Sequence, residues 1–140
     1  QRVSSAHVEV EGKIVGEIDK GLLVFVGIEK RDDRLLANKM VNKILSYRVF
    51  PDTKGKMNLS VNDIKGEILI VSQFTLAADT NNGTRAGFST AKSPQEAEII
   101  YNHMIEKFEL SSAKVEKGIF AANMRVALVN DGPVTFLLKC

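Results

Sequence analysis

The segment Leu22-Leu23-Val24-Phe25-Val26 is an unbroken apolar run of strand length, bounded by the turn signal Lys20-Gly21 and by Gly27. Such a run reads as a strand buried on both faces, because a half-exposed strand would alternate apolar with polar residues. Gly27, inside the same pattern, marks a bulge or a close backbone approach. Glu67 to Phe74 is a second strongly strand-like segment. Val3 to Val10, Lys13 to Ile18, Tyr47 to Phe50, Val115 to Lys117, Met124 to Val129 and Val134 to Leu138 read as further strands. Leu36, Met40 and Ile44, flanked by Ala37, Val41 and Leu45, make the apolar stripe of a helix from Asp33 to Ser46. Ser93-Pro94-Gln95-Glu96 starts a second helix, with Ser93 as cap, Pro94 at the first helical position and Glu96 closing a capping box. Its apolar face carries Ala97, Ile100, Tyr101, Met104, Ile105 and Phe108. The sum is a single α+β domain over residues 1–140, with about seven strands and two amphipathic helices.

Composition narrows the function classes. The chain of 140 residues has 44% hydrophobic and 26% charged residues, which excludes disordered, collagen-like and disulfide-scaffold chains. No apolar run approaches the ~20 residues of a membrane span. No secretory signal opens the chain. The single cysteine, Cys140, cannot form an internal disulfide, and a reducing cytoplasm is expected. The formal charge of +2 neither demands nor excludes nucleic acid. There is no Cys pair and no His-x-x-x-His, so neither a metal nor a cofactor is expected. Phosphate-binding glycine loops and the Gly-x-Ser-x-Gly elbow are absent. His7 and His103 read as ordinary satisfied residues.

Three segments and one long loop remain. Ser72-Gln73-Phe74-Thr75 ends an apolar strand in polar side chains; it either leaves the core or presents hydroxyls and backbone N–H groups to a ligand. By period 2, Gln73 and Thr75 share one face, and Ser72, Phe74 and Leu76 the other. Asn130-Asp131-Gly132-Pro133 reads either as a hairpin turn or as a specialised turn, because Pro133 lacks the N–H a following strand would donate. Gly118 to Met124 is either a core-packing loop or the floor of a pocket. Ala78 to Thr90 is a loop of about thirteen residues, long enough to be functional.

These segments together resemble the D-aminoacyl-tRNA deacylases of the bacterial and eukaryotic type. Gln1-Arg2-Val3, Gly21-Leu22-Leu23-Val24 and Lys56-Met57-Asn58-Leu59-Ser60-Val61 match that family. So do its signatures Ser72-Gln73-Phe74-Thr75-Leu76 and Asn130-Asp131-Gly132-Pro133-Val134-Thr135. The resemblance implies a barrel-like mixed sheet with two helices, in a cytoplasmic homodimer. It implies hydrolysis of the ester joining a D-amino acid, or glycine, to the terminal adenosine of tRNA. In such an enzyme Phe74 and Thr75 would be catalytic, with Ser72 and Gln73 lining the pocket. Gly132-Pro133 would be a Gly-cisPro motif that enters the partner's site and blocks L side chains. Phe120, Ala122 and Met124 would hold the adenine, and Arg2 would fix the Gly-Pro motif. No cofactor or membrane partner is implied. The family often has Arg-Pro-Ser-Phe where this chain has Arg85-Ala86-Gly87-Phe88, which predicts a looser loop. The segment Ser72–Ala78 offers Thr75 as its only nucleophile and no His, Lys, Asp or Glu to activate it. Catalysis by the substrate's own 2′-hydroxyl with backbone oxyanion stabilisation is therefore favoured over a Thr nucleophile. Rival readings are an RNA-binding module without catalysis, using Lys54, Lys56, Arg85 and Lys92, and a small-ester hydrolase indifferent to RNA.

Overall fold

The computed structural model describes all residues from Gln1 to Cys140. The elements run β1 (Arg2–Val10), β2 (Lys13–Ile18), β3 (Gly21–Val26), α1 (Arg34–Ser46), β4 (Phe50–Pro51), β5 (Met57–Leu59), β6 (Glu67–Ser72), α2 (Pro94–Glu109), β7 (Lys114–Lys117) and β8 (Arg125–Asn130). A 3-10 turn, Phe74–Ala77, follows β6. β6 runs parallel to β3 on one side and to β7 on the other. β1 pairs antiparallel with β2, β3 and β8. The strand order is β2-β1-β3-β6-β7, with β8 added on β1. The sheet curls until its ends meet: a Cβ on Gly16 of β2 would lie 2.8 Å from the carbonyl oxygen of Lys117 on β7. The result is an α+β fold with a nearly closed barrel. No helix is long and apolar enough to cross a membrane.

Period-2 alternation along β3 and β6 divides their side chains between two cores. Leu22, Val26, Ile68 and Ile70 enter the larger one, against Val41 and Ile44 of α1 and Ile100, Met104 and Phe108 of α2. Leu23, Leu69 and Val71 point the other way, into the barrel with Val3, Ala6, Val8 and Ile18. That is why both strands read as continuous apolar runs. Each fully buried aliphatic side chain contributes roughly 1.5–3 kcal/mol relative to exposure.

Four expectations are corrected. The second apolar strand stops at Ser72, not Phe74, because Gln73 O accepts from Leu76 N at 3.1 Å and the chain coils into the 3-10 turn, the bond from Gln73 N to Val26 O, 2.8 Å, being its last to β3. The tail from Val134 to Leu138 forms no strand: its one backbone–backbone bond is Arg2 N to Val134 O, 3.1 Å, and Pro133 brings no donor to a ladder. The capping box at α2 does not close, since the Ser93 hydroxyl donates to the Glu96 carboxylate at 2.6 Å and its oxygen accepts from no backbone N–H of the helix. Of Tyr47–Phe50 only Phe50 is strand, in the two-residue β4 with Pro51, paired with β5, a strand the sequence pattern had not marked.

Candidate active site

β6 delivers Ser72 to the rim of the barrel, where the chain turns sharply. The 3-10 bonds begin with Leu76 N to Gln73 O, 3.1 Å, and continue with Ala78 N to Thr75 O, 3.2 Å. The N–H groups of Phe74 and Thr75 precede the first of these bonds and stand at the head of the turn. Gly27 makes this arrangement possible. A Cβ there would lie 2.7 Å from Leu76 Cβ and 3.3 Å from Gln73 O, so only glycine lets the turn lie on the end of β3. Of the two roles open to Gly27 in the sequence, close approach is the one realised. The turn also replaces the period-2 geometry expected of Ser72–Leu76.

The side chains of the turn are polar but not basic. Gln73 Nε2 donates to Thr75 Oγ1 at 2.7 Å. An amide that donates to a hydroxyl cannot remove its proton, so Thr75 has no base among its hydrogen-bond partners. Phe74 is 64% exposed and lies against Phe88 of the long loop, ring centroids 4.9 Å apart. Phe88 was not among the sequence candidates; an aromatic residue in an otherwise polar loop was the available signal.

Backbone bonds close that loop. Asp79 and Gly87 exchange both backbone bonds, at 2.8 and 2.9 Å, and the Thr90 hydroxyl donates to Ala77 O. A Cβ on Gly87 would meet only Asp79 O at 3.9 Å, so glycine is not required there by packing. The loop closes on itself through its backbone, which Ala86-Gly87 leaves intact.

The second signature is a turn fastened by Arg2. Arg2 Nε donates to Asp131 O at 2.9 Å and Nη1 to Val49 O at 2.7 Å. Its Nε also lies 3.4 Å from the Asp131 carboxylate. Asp131 N returns a bond to Arg2 O, 2.9 Å. The Asn130 side chain bridges the turn, accepting from Val134 N and donating to Thr135 Oγ1, both at 3.0 Å. The Gly132-Pro133 peptide is cis, and Gly132 has φ 136°. A Cβ on Gly132 would lie 2.6 Å from Val134 Cγ2 and 3.1 Å from Arg2 Nη2. The hairpin reading fails, since no strand follows. Arg2 pairs with Leu22 near one end of β3, whereas Gln73 attaches at Val26, near the other. These points are roughly 13 Å apart at strand rise. No hydrogen bond joins the two signatures within the chain.

The third segment is tied to β6. Gly118 N donates to Ile70 O at 2.9 Å. Phe120 packs on Tyr101, centroids 5.5 Å apart. Met124 covers Gly118, where a Cβ would come within 2.6 Å of its sulfur, and Ala121 takes φ 60°. Phe120, Ala122 and Met124 are each half-buried. The core-packing reading is the one these contacts bear out: Phe120 rests on Tyr101 and Met124 on Gly118.

No cluster of three His, Cys, Asp or Glu side chains is placed to hold a metal ion. His103 is hydrogen-bonded to Asn38 at 2.8 Å between the helices. A cavity of about 360 Å³ lies between β3, α1 and the tail, with Leu22, Val24, Met40, Ile44, Tyr47 and Phe136 in its wall. Its lining includes Arg2 but none of Ser72, Gln73, Phe74, Thr75, Phe120, Ala122 or Met124.

Comparison with known proteins gives a consistent picture. The family described as D-Tyr-tRNA(Tyr) deacylase matches residues 1–139. A D-aminoacyl-tRNA deacylase of Vibrio cholerae serotype O1 is 55% identical over 139 residues, 99% of this chain and 96% of the relative. The protein of that name from Pseudomonas paraeruginosa is 53% identical over 140 residues, 100% of this chain and 97% of the relative. Among solved structures, one described as c-Myc DNA Unwinding Element Binding Protein superposes with a TM-score of 0.95 at 39% identity, covering 100% of this chain and 95% of the other. A probable eukaryotic D-amino acid tRNA deacylase shares the fold, with a TM-score of 0.79 at 16% identity over 94% of this chain and 92% of that one.

Proposed function

The chain belongs to the D-Tyr-tRNA(Tyr) deacylase family, and we infer from that membership that it is a D-aminoacyl-tRNA deacylase. It hydrolyses the ester between a D-amino acid and the terminal ribose of tRNA, in the cytoplasm. Water adds to the ester carbonyl, the C–O bond to the ribose breaks, and the free D-amino acid and tRNA leave. The head of the 3-10 turn serves as the oxyanion site, with the N–H groups of Phe74 and Thr75 as donors. One such donor is worth about 3–4 kcal/mol in known cases. Thr75 and Gln73 line the pocket with Ser72. The attacking water is positioned by the substrate's 2′-hydroxyl. The observation that carries this reading is the bonding of Thr75, whose hydroxyl meets an amide donor and no base.

Chirality is judged by exclusion. Apolar preference alone yields only ~1–3 kcal/mol between similar side chains. Backbone carbonyls at Gly132-Pro133, entering the site of a second protomer, would collide with an L side chain and spare glycine as well as D residues. Support comes from the fastening of the turn. Arg2 holds the Asp131 carbonyl of the turn while it also bonds the Val49 carbonyl, and Gly132 has no room for a Cβ. Within one chain the two signatures attach at opposite ends of β3, which fits a site completed by a homodimer. Phe120, Ala122 and Met124 hold the terminal adenine.

The deciding experiment compares D-aminoacyl-tRNA ending in adenosine with the same tRNA ending in 2′-deoxyadenosine. The ribose substrate should be hydrolysed and the deoxy substrate should lose at least about a hundredfold in kcat, a cost of roughly 2.7 kcal/mol. Equal rates on both would remove the RNA from the mechanism. Rapid hydrolysis of a free D-amino acid ester would make the tRNA itself dispensable.

A further inference from the structure

Tyr101 lies on the buried face of α2, where the sequence pattern marks it only as part of an apolar stripe. It is 2% exposed, and burial pushes its ionisation up to about 12. It is therefore a neutral, permanent donor. Its hydroxyl donates to Ile70 O at 3.0 Å. The same carbonyl accepts the N–H of Gly118 at 2.9 Å. The ring meanwhile lies against Phe120. One carbonyl, two residues before Ser72 on β6, thus gathers α2 and the start of the Gly118–Met124 loop.

We propose that Tyr101 is a positioning residue for the adenine subsite, fixing Phe120 along β6 through the Ile70 carbonyl. The inference rests on the reading above that Phe120, Ala122 and Met124 hold the adenine. Ile70 O already has a partner in Gly118 N, so the phenol is not needed to satisfy it. What the second donor adds is direction. A ring held at its hydroxyl end cannot slide along β6, and Phe120 rests on that ring. The loop itself has no slack to take up a shift. Met124 presses on Gly118, and Ala121, beside Phe120, sits in a left-handed conformation that persists only where the surroundings support it. A side chain that only filled the core would serve equally well without the hydroxyl.

The test is Tyr101→Phe, which keeps the ring and its packing, assayed by steady-state hydrolysis of a D-aminoacyl-tRNA alongside Phe120→Ala. Binding of a non-hydrolysable amide analogue of a D-aminoacyl adenosine is measured in parallel. Tyr101→Phe should raise KM and the analogue Kd about fivefold, the worth of one hydrogen bond, with kcat within about twofold. A purely structural hydroxyl would lower Tm and leave the split between KM and kcat unmoved, which would overturn the proposal. If Phe120→Ala raises KM while Tyr101→Phe does not, the proposal fails and the adenine reading stands. If Phe120→Ala leaves KM unchanged, the adenine reading fails and Tyr101 loses its role with it.

Discussion

The two signature segments are held by different forces. The turn after Ser72 hangs on β6, whose Ile68, Leu69, Ile70 and Val71 are all buried, two in each core. Its position is an outcome of apolar packing on both faces of a sheet. The Asn130–Thr135 turn has far less of this support, only Val134 being half-buried against the larger core. β8 before it half-buries only alternate residues, the tail after it forms no strand, and Val129 is 58% exposed. Hydrogen bonds from Arg2, Asn130 and Gln1 hold it instead. Packing spreads a load over dozens of weak contacts, whereas a polar clasp concentrates it on a few groups. The first segment should therefore fail with the whole fold, and the second by itself.

The largest effect should come from cutting into the packed side. Leu69→Ala opens a cavity inside the barrel and should cost about 2–5 kcal/mol in urea unfolding. A loss of activity without that loss of stability would mean that β6 is not the support of its turn. Arg2→Ala should destabilise by only about 1–3 kcal/mol, the cost of stranding the Val49 and Asp131 carbonyls. Its deacylase rate should fall, and L-aminoacyl-tRNA protection should weaken, at a temperature where the fold is intact. Arg2→Lys should not restore either, because an ammonium lacks the planar fork that reaches two carbonyls. An active Arg2→Lys enzyme would break the contrast between clasp and core.

Thr75→Ala should keep the rate within about tenfold, or 1.4 kcal/mol, when followed by tRNA deacylation. A drop of four orders of magnitude with the fold intact would make Thr75 a nucleophile. The smallest effect should be on the acid limb of stability. Asp52 is held below the usual carboxylate range by the backbone N–H of Lys56, then by Asn58 and the N–H of Lys54. Asp63 is held there by the N–H and hydroxyl of Ser60. A carboxyl depressed in the folded state stabilises above its unfolded value and loses that contribution as pH falls through the folded one. Both loops flank β4 and β5, next to the Val49 carbonyl that Arg2 grips. Asp52→Asn and Asp63→Asn should each flatten the fall of stability below about pH 4 in thermal melts. An unchanged acid limb in both variants would show that this side of the clasp is insensitive to charge.

The apolar patterning made β1, β2, β3, β6, β7, β8 and both helices legible in advance, because burial against a sheet or along a helix face imposes a pattern on the chain itself. Asp33 capping α1 through the N–H of Leu36, at 2.8 Å, is equally local. The signature residues were legible as types, since glycine, proline and a polar strand end are unusual in those places. Tertiary structure alone decided the rest. That Gly27 answers to Leu76, that Arg2 reaches Val49 and Asp131, and that Tyr101 and Gly118 share the Ile70 carbonyl are contacts between residues far apart in sequence. They leave no period to read. The strand expected at Val134–Leu138 failed for the same reason: an apolar stretch marks a segment as strand-like, but only the assembled fold determines whether a backbone lies beside it to complete a ladder.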